Sequence, residues 1–182
     1  MLAGDRGVNS PYELDPTSIY VESVTGNGLK LAHVDTGSLT TPSWSPDGRR
    51  IVYTHVTDRG SDIYVVRSNR RGSRRLVRGS DPEWSPHGDR IALSRSGRLY
   101  LIRGHGLPRP RRIGFANWYS WNRRGDMLAL VDWRLSVIRR DGRGFRPLCC
   151  SQRFGFGEDA PAWSQGGGTL FYAYKLETPP PS

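Results

Sequence analysis

Apolar and polar residues alternate along most of this chain in short bursts, and the bursts come in pairs. In Ile51-Val52-Tyr53-Thr54, Ile51 and Tyr53 fall on one side of an extended segment and Val52 and Thr54 on the other, the period-two pattern of a strand. Ahead of it runs Pro42-Ser43-Trp44-Ser45-Pro46-Asp47-Gly48, a short strand leading into a Pro-Asp-Gly turn. Proline presets φ, aspartate offers a local acceptor, and glycine takes the left-handed conformation that a tight hairpin loop needs. The two segments together predict a β-hairpin.

That hairpin recurs. Trp84 opens WSPHGDRIAL, Trp121 opens WNRRGDMLAL and Trp163 opens WSQGGGTLFY. Four residues after each tryptophan stands a glycine: Gly48, Gly88, Gly125 and Gly167. Seven after it comes Ile51, Ile91, Leu128 or Leu170, and nine after it Tyr53, Leu93, Leu130 or Tyr172. The tryptophans lie 40, 37 and 42 residues apart. Between them sits a second kind of hairpin, without tryptophan in its column: 18–22 into 29–33, 62–66 into 74–77, 98–102 into 111–113, and 134–138 into 146–148. With the tryptophan hairpin as strands A and B and the other as C and D, the chain reads CD, ABCD, ABCD, ABCD, AB, sixteen strands in all. A unit of about forty residues with one tryptophan is the signature of a repeat array of four-stranded blades. The expected fold class is all-β, a β-propeller of four-stranded antiparallel blades with about four blades' worth of strands. The domain layout is an irregular leader over 1–17, the repeats over 18–175 and a Pro-rich tail over 176–182.

The repeated Pro-x-Trp-Ser-Pro-Asp-Gly and the Ile-x-Tyr-like strand after it resemble the TolB-like β-propeller repeat, which also occurs in the propellers of tricorn protease and of the dipeptidyl peptidase IV class. The resemblance spans roughly 18–175. The first copy matches fully and the second has His87 in place of aspartate. The third carries Asn122-Arg123-Arg124 and the fourth Ser164-Gln165-Gly166; these loops keep the glycine but lose the proline, which leaves their turn type open. Propellers of this type usually have six or more blades, so two arrangements are open. The C–D pair at one end of the sequence and the A–B pair at the other complete one blade and close a small ring, or the chain is a fragment of a larger propeller that can self-associate through open blade edges.

Composition adds bounds. The chain has 36% hydrophobic residues, 22 glycines and 13 prolines, which suits short strands and tight turns. No apolar run is long enough to span a membrane as a helix, and MLAGDRGVNSPYELD lacks the apolar core of a secretion signal. The resemblance, in contrast, implies a periplasmic or envelope setting. The adjacent Cys149 and Cys150 have neither CxxC spacing nor a nearby histidine, so neither a zinc site nor a redox motif is expected. There is no GxSxG elbow, His33, His55, His87 and His105 are scattered, and Gly166-Gly167-Gly168 is followed by no P-loop lysine. Asp47, Asp58, Asp62 and Asp81 would need the fold to converge them on a cation. No enzyme, metal or cofactor is expected.

The net charge of +10 is almost all arginine, since Lys30 and Lys175 are the only lysines. In an A-B-C-D meander the A–B and C–D turns leave the same end of the blade. These turns carry Arg49, Arg50, Arg70, Arg71, Arg123, Arg124 and Arg143, with His87 and His105. The other end receives Asp35, Asp58, Asp81, Asp132, Glu158 and Asp159. One basic end and one nearly neutral or acidic end are therefore expected, with Arg74, Arg75, Arg111 and Arg112 blunting outer edges. Trp44, Trp84, Trp121 and Trp163, with Gly48, Gly88, Gly125 and Gly167, are assigned to packing and turns. Trp118 and Trp133 fall outside the column and are the aromatic candidates for partner contact. The expected function is a non-enzymatic binding or scaffold module that engages a protein or peptide through one face, acidic partners being among the candidates. Its alternatives are an accessory propeller of a prolyl-oligopeptidase-class peptidase and nucleic-acid binding by the basic end, the latter disfavoured by the few aromatics among those arginines.

Overall fold

The computed structural model describes residues 18–21, 30–34, 37–68, 72–104, 109–132, 134–148, 155–156, 160–172 and 174–175. Among these only strands and turns occur. A pair comes first, β1 (Ser18–Val21) with β2 (Lys30–Val34). The first full blade is β3 (Ser38–Trp44), β4 (Arg50–Thr57), β5 (Gly60–Arg67) and β6 (Arg74–Arg78). The second is β7 (Ser80–Trp84), β8 (Arg90–Arg95), β9 (Arg98–Arg103) and β10 (Arg111–Phe115). The third is β11 (Trp118–Trp121), β12 (Met127–Val131), β13 (Leu135–Arg139) and β14 (Arg146–Pro147). The last hairpin comprises β15 (Gly155–Phe156), β16 (Ala162–Trp163), β17 (Leu170–Phe171) and β18 (Tyr174–Lys175). Each full blade is a four-stranded antiparallel meander in chain order.

The last tryptophan hairpin is where the strand number departs from expectation. It is split in two: β16 pairs with β17, and β15 pairs with β18. The β1–β2 and β16–β17 pairs stay separate two-stranded sheets. Among the described residues the two outermost hairpins do not pair into one blade, and these open sheets fit a segment of a larger propeller.

The core lies between sheets rather than within one. Period-two alternation on β4 sends Val52 one way and Ile51 and Tyr53 the other. Val52 joins Ile63, Val65, Trp84, Ile91, Leu93 and Ile102 between the first and second blades. Ile51 and Tyr53 join Ile19, Leu39 and Val66 against β1. Ala92, Leu99 and Leu101 meet Trp121, Leu128, Leu130 and Ile138 between the second and third blades. One blade has no second layer of its own, so its apolar faces are buried only when a neighbour stacks on it.

Trp84 and Trp121 are buried at 5% and 7% exposure, whereas Trp44 is 45% exposed. The side that Trp44 would pack against holds only β1–β2, a pair without the two inner strands that cover the equivalent ring in later blades. Trp163, in the last hairpin, is half-buried and its indole N–H donates to Ser120 O of the third blade at 3.2 Å.

Candidate functional site

All four tryptophan hairpins turn the same way, including the two that lost proline. In each, the glycine N–H donates to the carbonyl of the residue after the tryptophan, at 2.8–2.9 Å for Ser45, Ser85, Asn122 and Ser164. Gly48, Gly88, Gly125 and Gly167 have φ of 65, 71, 62 and 70°, a region that costs L side chains strain. The side chain of the residue after the tryptophan completes the turn. Ser45 Oγ accepts from Arg50 N at 2.9 Å, Ser85 Oγ from Arg90 N at 3.1 Å, and Ser164 Oγ from Thr169 N at 3.1 Å. Asn122 Oδ1 serves Asp126 N and Met127 N in the third copy. This Ser/Asn column, not the proline, holds the turn type, and it was there to be read beside the glycines.

The A–B and C–D turns do share one end. Ser68 N donates to Arg49 O, Gly104 N to Asp89 O and Arg140 N to Asp126 O, each at 2.9 Å. Arg49, Arg123, Arg124 and Arg143 are exposed there; Arg70, Arg71 and His105 lie outside the described residues. Arg50 has a different role. Its guanidinium stacks 5.0 Å over the Trp84 ring and donates to Gly104 O at 3.1 Å, tying the first blade to the second. His87 Nε2 meets Arg124 O at 2.7 Å and ties the second blade to the third.

The expectation missed two things about charge. First, carboxylates sit in the basic turns. The Ser45 hydroxyl and the Arg49 N–H hold Asp47 below the usual carboxylate range, and the Asn122 amide does the same for Asp126. Asp89 takes Arg140 at 2.6 Å, and Asp141 Oδ1 takes Arg143 N at 2.9 Å. Second, Arg67, Arg90, Arg103, Arg109, Arg111, Arg139 and Arg140 join the same end, because they open a B or D strand, close a C strand or lie in the C–D turns. Among the described residues the opposite end is nearly neutral, one of the two states expected: Asp58, Asp81 and Asp132 share it with Arg59, Arg95, Arg98 and Arg134, while Asp35, Glu158 and Asp159 are outside the described residues. On the outer strands, Arg75 pairs with Asp62 at 2.7 Å and Arg112 stacks 5.7 Å from the Phe115 centroid. Arg111 instead turns inward to Asp141 O at 2.7 Å.

Structures of known proteins share this arrangement. The chain superimposes on TolB from Acinetobacter baumannii with a TM-score of 0.69 at 19% identity, covering 88% of this chain and 43% of that one. For a protein assigned as TolB in Agrobacterium tumefaciens the figures are 0.64, 22%, 88% and 66%. For a chain of the nidogen/laminin complex they are 0.62, 14%, 82% and 61%. The fold is that of a β-propeller. This chain spans less than two thirds of the length of each of these structures. Neither a protein-family model nor a curated protein matches the sequence.

In this propeller segment the A strands of successive blades run side by side. Thr41, Asp81, Trp118 and Tyr119 line a groove of about 480 Å³ along them, with Glu83 in its wall. Trp118 is thus half-buried in that groove, and Trp133 lies outside the described residues. Strand β3 slips register after Thr40 and β7 after Ser80, next to Pro42 and Pro82, which cannot donate to a ladder. Thr41 and Asp81 absorb the bulges at φ 49 and 54°. The third blade has Tyr119 in the proline position and no bulge; its hydroxyl donates to Asp81 O. The residue before each tryptophan links blades: Ser43 Oγ accepts from Trp84 N at 3.1 Å and Glu83 Oε1 from Trp121 N at 3.3 Å.

Glu83 has a testable consequence. Burial pushes its carboxyl up to about 7, against a smaller downward pull from the Trp121 N–H. The unfolded chain loses this proton near 4.5, so between about pH 4.5 and 7 the folded protein keeps a proton that the unfolded chain has released. Stability attributable to this group therefore falls as pH rises through that window and levels off above it. Glu83→Gln keeps an acceptor for Trp121 and should flatten the profile, leaving the variant more stable at pH 8 by roughly 2 kcal/mol. Denaturant unfolding of both proteins at pH 4, 6 and 8 is the check; parallel profiles would place Glu83 in solvent.

Among the described residues no group of three His, Cys, Asp or Glu side chains gathers to hold a metal ion. His55 is buried on β4 with its ring edge-on to Tyr64 at 5.3 Å. Cys149 and Cys150 lie outside the described residues, and Gly166-Gly167-Gly168 is the fourth A–B turn. Among the described residues no helix is long and apolar enough to cross a membrane.

Proposed function

We propose that this chain belongs to a non-enzymatic binding module that takes an acidic protein or peptide segment on its arginine-rich end. The observation that carries this assignment is the state of the charges there. The aspartates at that end are engaged by their own turns or by Arg140, while Arg49, Arg90, Arg103, Arg109 and Arg123 pair with no carboxylate among the described residues. Guanidinium groups left in this state favour carboxylates, which they can meet with two parallel hydrogen bonds. A field of one sign at one end also orients a partner on approach. A chain of the nidogen/laminin complex shares the fold, so the same scaffold occurs in a complex between proteins.

Binding of a fluorescent hexaglutamate peptide is the test, with hexaglutamine as control. Hexaglutamate should bind and weaken steeply between 50 and 300 mM salt, while hexaglutamine should not bind. The Arg59→Gln/Arg95→Gln variant, which removes the same charge from the opposite end, should keep most of the affinity. Equal binding of both peptides would overturn the assignment, and tighter binding of a single-stranded oligonucleotide than of hexaglutamate would replace it with the nucleic-acid alternative.

A further inference from the structure

Successive blades leave a cavity between them at the arginine-rich end. Between the first and second it is about 340 Å³, and between the second and third about 790 Å³. Arg90, Arg103, Arg109, Arg111 and Arg140 surround the larger one. They come from β8, from the end of β9, from the segment entering β10 and from the turn after β13, so two blades and four segments converge on it.

Two features set this cluster apart from arginines that simply face water. Arg90 and Arg103 are directly opposed across the β8–β9 ladder, an arrangement that like charges disfavour. The nearby acids do not offset it: Asp89 is held by Arg140, and the Asp141 carboxylate is turned back onto Arg143 N. In the smaller cavity the matching cross-strand pair is Arg50 and Arg67, and there Arg50 is occupied by Trp84 and Gly104 O. Only the larger cavity keeps its cross-strand pair without a partner among the described residues. Its floor includes the buried Leu101, which excludes water from one side and strengthens any ion pair formed there.

Building on the binding function above, we infer that this cavity is the anchoring subsite and that it takes two closely spaced carboxylates of the acidic segment, one at Arg90 and Arg103 and one at Arg109. The volume admits two acidic side chains side by side. The rim arginines Arg49 and Arg123 add attraction without a pocket.

Two double variants that remove equal charge separate these roles. Arg103→Gln/Arg109→Gln should weaken hexaglutamate binding about tenfold or more, and Arg49→Gln/Arg123→Gln less than about threefold. In the wild-type protein, hexaglutamate should also shield Arg103 and Arg109 from phenylglyoxal, read by mass spectrometry, more than it shields Arg49 and Arg123; this holds whether or not a variant folds. Equal weakening by the two variants, or equal shielding of the two pairs, would overturn the subsite while leaving binding at this end intact. If hexaglutamate and hexaglutamine bind the wild-type protein alike, the binding function itself fails.

Discussion

Trp121→Ala is expected to cost about 3–5 kcal/mol of unfolding free energy, the range for deleting a buried tryptophan side chain. Trp121 is 7% exposed and packs into the cluster of Ala92, Leu99, Leu128 and Ile138. Its indole N–H also donates to Glu83 O at 3.4 Å, so the ring joins the third blade to the second twice, by area and by a hydrogen bond. The same change at Trp44 should cost only roughly 1 kcal/mol, because that ring is 45% exposed and has little packing to lose. Urea unfolding of the two variants beside the wild-type protein measures the difference. Equal losses would mean that the tryptophan acts inside its own hairpin and that the stacking of blades contributes little.

Gly104→Ala should destabilise by about 3 kcal/mol, the upper end of the cost of overpacking. A Cβ there would run into the carbonyl oxygen of Gly88 and lie 2.5 Å from Cζ3 of Trp84. Backbone and an enclosed ring have little room to give, and the ring is already held on one face by Arg50. Gly48→Ala is the useful comparison: its φ of 65° strains an L residue, yet nothing lies within 4 Å of the added carbon. That variant should lose only about 1–2 kcal/mol. A thermal melt of both distinguishes the causes, and a larger loss at Gly48 than at Gly104 would show that turn strain outweighs contact between the two hairpins of one blade.

These two glycines show how legible the chain was. Gly48 could be assigned from sequence because its neighbours, Ser45, Pro46 and Asp47, encode a local turn, and local turn chemistry is written in adjacent residues. Gly104 reads as one more turn glycine. Its constraint comes from Gly88 and Trp84 of the neighbouring hairpin, and no spacing rule reports that distance. The arginines divide in the same way. Arg49 and Arg123 were placed by counting turns, but Arg90, Arg103 and Arg109 belong to a strand start, a strand end and a loop. Only stacking of the second and third blades brings them around one cavity. Arg50 appeared equivalent to Arg49, yet a rise of one residue along the chain turns its side chain onto Trp84.

Alternation, turn residues and a period of about forty were enough to determine the hairpins, their order and the four-stranded meander, because each depends on residues close in sequence. The shared end of the A–B and C–D turns followed from that order alone. Tertiary structure decided which tryptophans are buried and which aspartates are engaged. It also decided where unpaired guanidinium groups meet. Those outcomes depend on what lies across a gap of a few ångströms, between segments some forty residues apart, and the free energy of such contacts is set by the neighbour's shape and charge as much as by the residue itself.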